Sequence, residues 1–180
     1  MVRAMIDAND SSIILTDRLV LAPHRREDFA ESAAMWGDPA VVRYIGGKPS
    51  TNSEAWARLL RYAGHWTLLG YGYWTLREKA SRRFVGEAGF GQFKRGLGER
   101  FDQSAECGWA LMPWAQGQHF ATEAVRAALA WAAARPWMGP AVCMIHPDNK
   151  PSLSLAHNCG FREYQRTVFQ ESPTILFTQD

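Results

Sequence analysis

The chain has 180 residues, 47% of them hydrophobic, enough to close one substantial core. Its 20 Lys+Arg nearly cancel its 18 Asp+Glu, which excludes the electrostatic footprint of a protein built for nucleic acid or an anionic membrane. No apolar run reaches the length of a secretory signal or a membrane span, so a cytoplasmic protein with no membrane partner is expected.

Arg18 to Ala22 alternates as a strand, and Pro23 breaks it before the helix-prone Arg25 to Trp36. Gly46, Gly47 and Pro49 form a loop. Asn52 or Ser53 then caps a helix running to about Leu69, with Trp56, Leu59, Leu60 and Ala63 on one face. Tyr71 to Leu76, Arg83 to Phe93 and Gln103 to Met112 read as three strands of an antiparallel meander. The second carries Gly86, Gly89 and Gly91, more glycine than a strand holds without bulges or close backbone neighbours. Gly117 to Arg135 is an alanine-rich helix that Pro136 stops, and Val142 to Ile145 is a short buried strand. Pro151 opens a helix to Asn158, Gly160 suits its left-handed end, and Phe161 begins a strand pair ending near Phe177.

A meander feeding a helical crossover implies an α/β fold, a mixed and mostly antiparallel sheet with helices on both faces. No linker or repeat divides the chain, so residues 1–15 read as an N-terminal extension and residues 16–180 as a single domain. Cys107, Cys143 and Cys159 are odd in number and lack metal-ligand or redox spacing; they read as reduced core residues, and no metal is expected.

Two segments carry chemistry. Trp114 to Ala124 joins a strand end to a helix start, where free backbone N–H groups and the helix dipole suit a pyrophosphate. In the second, His146 to Ser152, Asn149 offers a donor and an acceptor that can read a secondary amide of the kind a pantetheine arm presents; equally, it can cap the helix that begins at Pro151.

Together these segments resemble the GNAT superfamily of N-acetyltransferases, in the branch holding ribosomal-protein and aminoglycoside acetyltransferases. Phe120-Ala121-Thr122-Glu123-Ala124 is similar to the branch's Tyr-Ala-Thr-Glu-Ala run. Asn149, Ser152, Gly160 and Phe161 resemble its Asn-x-x-Ser and Gly-Phe, and Thr16 to Leu21 its opening strand. Of the family's loop Gln/Arg-x-x-Gly-x-Gly/Ala, the positions here are Trp114, Gly117 and His119, so only the middle glycine is kept. Gln116-Gly117-Gln118 replaces the branch's Trp-Gly-Lys, removing a cation but no backbone donor.

The resemblance implies an acetyl-CoA-dependent enzyme that acetylates a primary amine, either a protein N-terminus or a small molecule, by direct attack. It implies a cosubstrate site of Leu111, Met112, Gln116, Gly117, Gln118, His119, Phe120, Ala121, Thr122, Asn149 and Ser152, with a backbone N–H near Leu111 or Met112 polarising the carbonyl.

Strand alternation puts Glu106 on one face with Gly108 and Ala110, which leaves room beside its carboxylate and makes it the candidate base. An ion-paired or solvated carboxylate is the other reading. Ala156 stands where family members carry the tyrosine that protonates the leaving thiolate, and Ser152, a water, His157 or Tyr164 are the substitutes. The missing tyrosine keeps a non-catalytic acyl-CoA-binding module as the alternative. A monomer or a homodimer would serve either, and the partner is a small-molecule or peptide amine rather than nucleic acid.

Overall fold

A computed structural model describes residues 12–179. Its framework is one eight-stranded sheet: β1 (Ile14–Leu15), β2 (Leu19–Pro23), β3 (Tyr73–Glu78), β4 (Phe84–Gly91), β5 (Ala105–Leu111), β6 (Ala141–Ile145), β7 (Arg162–Phe169) and β8 (Ser172–Gln179). They lie in the order β1-β2-β3-β4-β5-β6-β8-β7. Every neighbouring pair is antiparallel except β5 with β6, which the crossover helix between them makes parallel.

The helices fall on both faces. On one lie α1 (Phe29–Trp36), the single-turn α2 (Pro39–Val42) and α3 (Asn52–Leu69); the short α4 (Glu99–Asp102) precedes β5, α5 (Phe120–Ala133) covers the other face, and α6 (Lys150–Asn158) follows β6. The main core forms beneath α5, where Phe120, Ala124, Val125 and Ala128 meet Leu21, Trp74, Leu76, Val85 and Cys107. A smaller cluster of Met35, Trp36, Val42, Phe84 and Ala110 lies under α1.

Element ends differ from the sequence reading for local reasons. The expected helix from Arg25 is a 3-10 turn over Arg26–Asp28 followed by α1. The cap of α3 is Thr51 rather than Asn52 or Ser53: its hydroxyl accepts from the Glu54 N–H at 3.2 Å, and the Glu54 carboxylate accepts from the Thr51 N–H at 2.7 Å. Gly160 follows α6 at a φ of 86°, as expected. All three cysteines are buried and unbridged, with burial raising each thiol's pKa.

The glycines of β4 answer close neighbours. Gly89 faces Tyr73 on one side and Gly108 on the other, and a Cβ on it would lie 2.4 Å from the Gly72 carbonyl oxygen. At Gly108 the added atom would lie 2.0 Å from the Tyr73 hydroxyl. The tyrosine therefore crosses the sheet over a path that only glycine leaves open.

Candidate active site

β5 and β6 pair only at Ala105 with Ala141 and at Glu106 with Val142, then diverge. On its other edge β5 stays paired to β4, and the Met112 N–H donates to the Val85 carbonyl at 2.9 Å. By alternation, Trp109 and Leu111 turn their N–H and C=O groups away from β4 and into the gap. Consistent with this, the Leu111 carbonyl accepts from Gln116 Nε2 at 3.1 Å. Of the two expected backbone donors, Leu111 faces the gap and Met112 is spent within the sheet.

A cavity of about 480 Å³ opens on this gap. Its walls include Arg58, Arg61 and Tyr62 of α3, Tyr73 of β3, Glu106 to Trp109 of β5 and Cys143 to Ile145 of β6. Glu106 is 6% exposed, and Arg95 grips it through Nε and Nη2 at 2.6 and 2.7 Å. Burial pushes the Glu106 carboxyl above its ordinary pKa, against the pull of the guanidinium. The carboxylate is thus both ion-paired and on the cavity wall. The face predicted by alternation is present, with Ala105, Cys107 and Leu111 in the core beneath α5.

The loop into α5 is braced from β2. Arg18 donates to the Gln118 carbonyl at 3.0 Å and to Glu123 at 2.7 Å, and lies 4.4 Å from the centre of the Phe120 ring. Glu123 also accepts from the Thr16 hydroxyl and the Arg18 N–H, which fixes it as a brace. Gln118 Nε2 closes the loop on the Trp114 carbonyl at 2.6 Å. The first N–H to be bonded back along α5 is that of Glu123, to the His119 carbonyl, so those of Phe120, Ala121 and Thr122 have no partner one turn back. Gly117 has a φ of 74° and His119 a φ of 63°; the histidine side chain is exposed. The left-handed backbone at His119 is the reason a small residue fits this position of the loop.

Asn149 caps α6, its Oδ1 accepting from the Ser152 N–H at 3.3 Å, and still lines the cavity. Ser152 lines it too. Trp109 Nε1 donates to Ser152 Oγ at 3.2 Å, which leaves the serine hydroxyl hydrogen free. Ala156 is fully buried. His157 is exposed against Phe177, and Tyr164 packs beside the Phe101 cluster away from the cavity.

Several groups escaped sequence reasoning. Glu87 on β4 is fully buried, accepting from Ser32 Oγ at 2.5 Å and Trp36 Nε1 at 2.8 Å, with His24 Nε2 3.0 Å away. Burial opposes its charge, but His24, Ser32 and Trp36 prevail and hold its pKa below the ordinary value. Tyr62 stacks on Tyr73 with ring centroids 4.3 Å apart, and burial pushes the Tyr62 hydroxyl up to about 12. The only available signal was the glycines facing Tyr73. Among the described residues no group of His, Cys, Asp and Glu is placed to hold a metal, and no helix is long and apolar enough to cross a membrane.

The family model for a GNAT acetyltransferase domain matches residues 18–162. Among solved structures, the chain is similar to a Bordetella pertussis protein assigned to the GNAT acetyltransferases, with 33% identity and a TM-score of 0.84 over 93% of this chain and 99% of that one. It shares the fold of spermidine N-acetyltransferase from Vibrio cholerae, solved with CoA and spermine, at 17% identity and a TM-score of 0.69 over 91% and 94%. Among curated proteins it is 24% identical to an uncharacterised N-acetyltransferase of Bacillus licheniformis, over 83% of this chain and 82% of the relative.

Proposed function

Since the chain belongs to the GNAT acetyltransferase family, we propose that it transfers the acetyl group of acetyl-CoA directly to a primary amine held in the 480 Å³ cavity. The carrying observation is the gap between β5 and β6. It offers backbone groups of Trp109 and Leu111 to a secondary-amide arm and opens on a wall that bears a carboxylate. The free N–H groups at the start of α5 suit the pyrophosphate, so the donors present fit the cosubstrate.

Each residue then has a task. The Trp109 or Leu111 N–H stabilises the negative charge that develops on the carbonyl oxygen. Glu106, oriented by Arg95, takes the amine proton directly or through one water, because an α-amino group with a pKa of about 8 or a lysine near 10.4 arrives largely protonated. As the C–N bond forms and the C–S bond breaks, the second proton lost by the nitrogen passes through the Ser152 hydroxyl, or a water beside it, to the leaving sulfur, so the serine ends protonated as it began. The free hydroxyl hydrogen of Ser152 supports that role in place of the absent tyrosine.

Melting with acetyl-CoA, CoA and ATP in separate samples, followed by release of free CoA thiol with a panel of amines, tests the reading. A ligand at 100 times its dissociation constant adds about 2.7 kcal/mol. A shift with acetyl-CoA and not ATP, followed by thiol release, is the expected result. A shift with no turnover on any amine would favour the acyl-CoA-binding module instead, the reading that the buried Ala156 favours.

A further inference from the structure

The charge on the cavity wall is lopsided. Arg43, Arg58, Arg61 and Arg95 all line it, and the carboxylate facing them is Glu106, which Arg95 already occupies on both oxygens. Among the described residues Arg43, Arg58 and Arg61 form no ion pair, and Arg58 Nε is buried with no hydrogen-bond acceptor. Glu54, one turn before Arg58 on α3, is engaged by Thr51, and Glu87 is enclosed by His24, Ser32 and Trp36. Tyr62 and Tyr73 supply no phenolate, since burial raises both hydroxyls.

The guanidinium groups are held in place without being neutralised. Arg58 lies 3.8 Å from the centre of the Trp36 ring, and Arg61 and Arg95 lie 5.1 and 4.7 Å from that of Phe93. These ring contacts hold the guanidinium groups without using their N–H groups; those of Arg95 go to Glu106, while Arg58 Nε has no acceptor. Burial is the main cause that lowers the pKa of Arg61, and the neighbouring Arg58 and Arg95 add to it. The phosphates of CoA do not explain the cluster, because none of residues 116–121 lines this cavity.

We infer that the acceptor carries a carboxylate beside its amine, so that Arg58 and Arg61 clamp the acid while the amine faces Glu106. The inference rests on the acetyltransferase reading and narrows it to anionic acceptors, free amino acids or acidic peptide N-termini, and away from polyamines. An unpaired guanidinium pair favours a planar carboxylate, which it can bind bidentately, and a cation entering the same space meets repulsion.

Calorimetry on the CoA-saturated protein with N-acetyl-L-aspartate, its diamide and spermidine tests the charge preference without catalysis. The acid is expected to bind at least about 10-fold more tightly than the diamide, and more weakly as salt rises. Arg58→Gln/Arg61→Gln should bring acid and diamide within about 3-fold while retaining the acetyl-CoA melting shift, which shows that the variant is folded. Equal binding of acid and diamide, no binding of the acid, or preferred binding of spermidine would each overturn the anionic site.

Acetyl transfer to L-aspartate, to a peptide opening on aspartates and to spermidine is then compared, and the first two separate the sources of the carboxylate. Acid binding with no transfer to any amine sinks the enzymatic reading and leaves the anionic site standing. Preferred transfer to spermidine does the reverse.

Discussion

Arg95 grips both oxygens of Glu106 at 2.6 and 2.7 Å, so the candidate base is oriented by the group that also favours its charged form. Glu106→Gln is expected to lower kcat/KM by about 10²–10³-fold while leaving the acetyl-CoA melting shift in place. Because burial raises the Glu106 pKa, the wild-type rate should fall with acid at a pH above the ordinary 4.5 of a glutamate, and that limb should be absent from the variant. An unchanged rate in Glu106→Gln would remove the residue from the chemistry.

The buried carboxylate on β4 makes a different prediction, about stability. Glu87 has a folded pKa below its ordinary 4.5, so its stabilising contribution is fully present above about 4.5 and is lost as pH falls through the lower folded value. Glu87→Gln should therefore cost about 2 kcal/mol at pH 7, with the gap from wild type closing in strong acid. Denaturant unfolding at a series of pH values reads this directly, and a gap that widened in acid would contradict it.

Tyr73 and Gly108 should behave as a pair. Gly108→Ala places an atom 2.0 Å from the tyrosine hydroxyl, a steric conflict costing about 1–3 kcal/mol. Adding Tyr73→Phe removes the conflicting oxygen, so the double variant should be more stable than Gly108→Ala alone. Simple addition of the two single losses in a double-mutant cycle would contradict the contact.

His119 occupies the left-handed region at a φ of 63°, a conformation costing about 1–2 kcal/mol for a side chain that glycine does not incur. Glycine gives back about 0.5–1 kcal/mol through the freedom of the unfolded chain, so His119→Gly should leave the melting temperature equal or raised by a few degrees. The acetyl-CoA shift should survive if, as proposed, the backbone N–H groups at the start of α5 hold the pyrophosphate. Its disappearance would identify the imidazole as a ligand of the phosphates.

Much of the frame was legible because periodicity and punctuation report on local physics. Pro23, Pro136, Pro151 and Gly160 each mark an element end found in the structure, and the glycines of β4 announced close backbone neighbours. Glu106 was reachable through alternation, yet its partner was not: Arg95 lies in the connection after β4, and nothing local aims a loop arginine at a strand carboxylate. The same limit hid Arg58 and Arg61. On α3 they read as the polar face of an amphipathic helix, and the long-range approach of that helix to β3 and β5 turns them onto a cavity wall. The left-handed turn at His119 was missed because histidine, unlike glycine, does not advertise it.

The sheet's backbone is joined at its middle by only two residue pairs between β5 and β6, so its mechanical continuity there depends on side chains packed beneath α5. A molecule whose amides bridged the open edges would act as a removable strand. Amide exchange at Trp109 and Leu111 should then slow on adding CoA, tying the rigidity of the whole sheet to the supply of the donor.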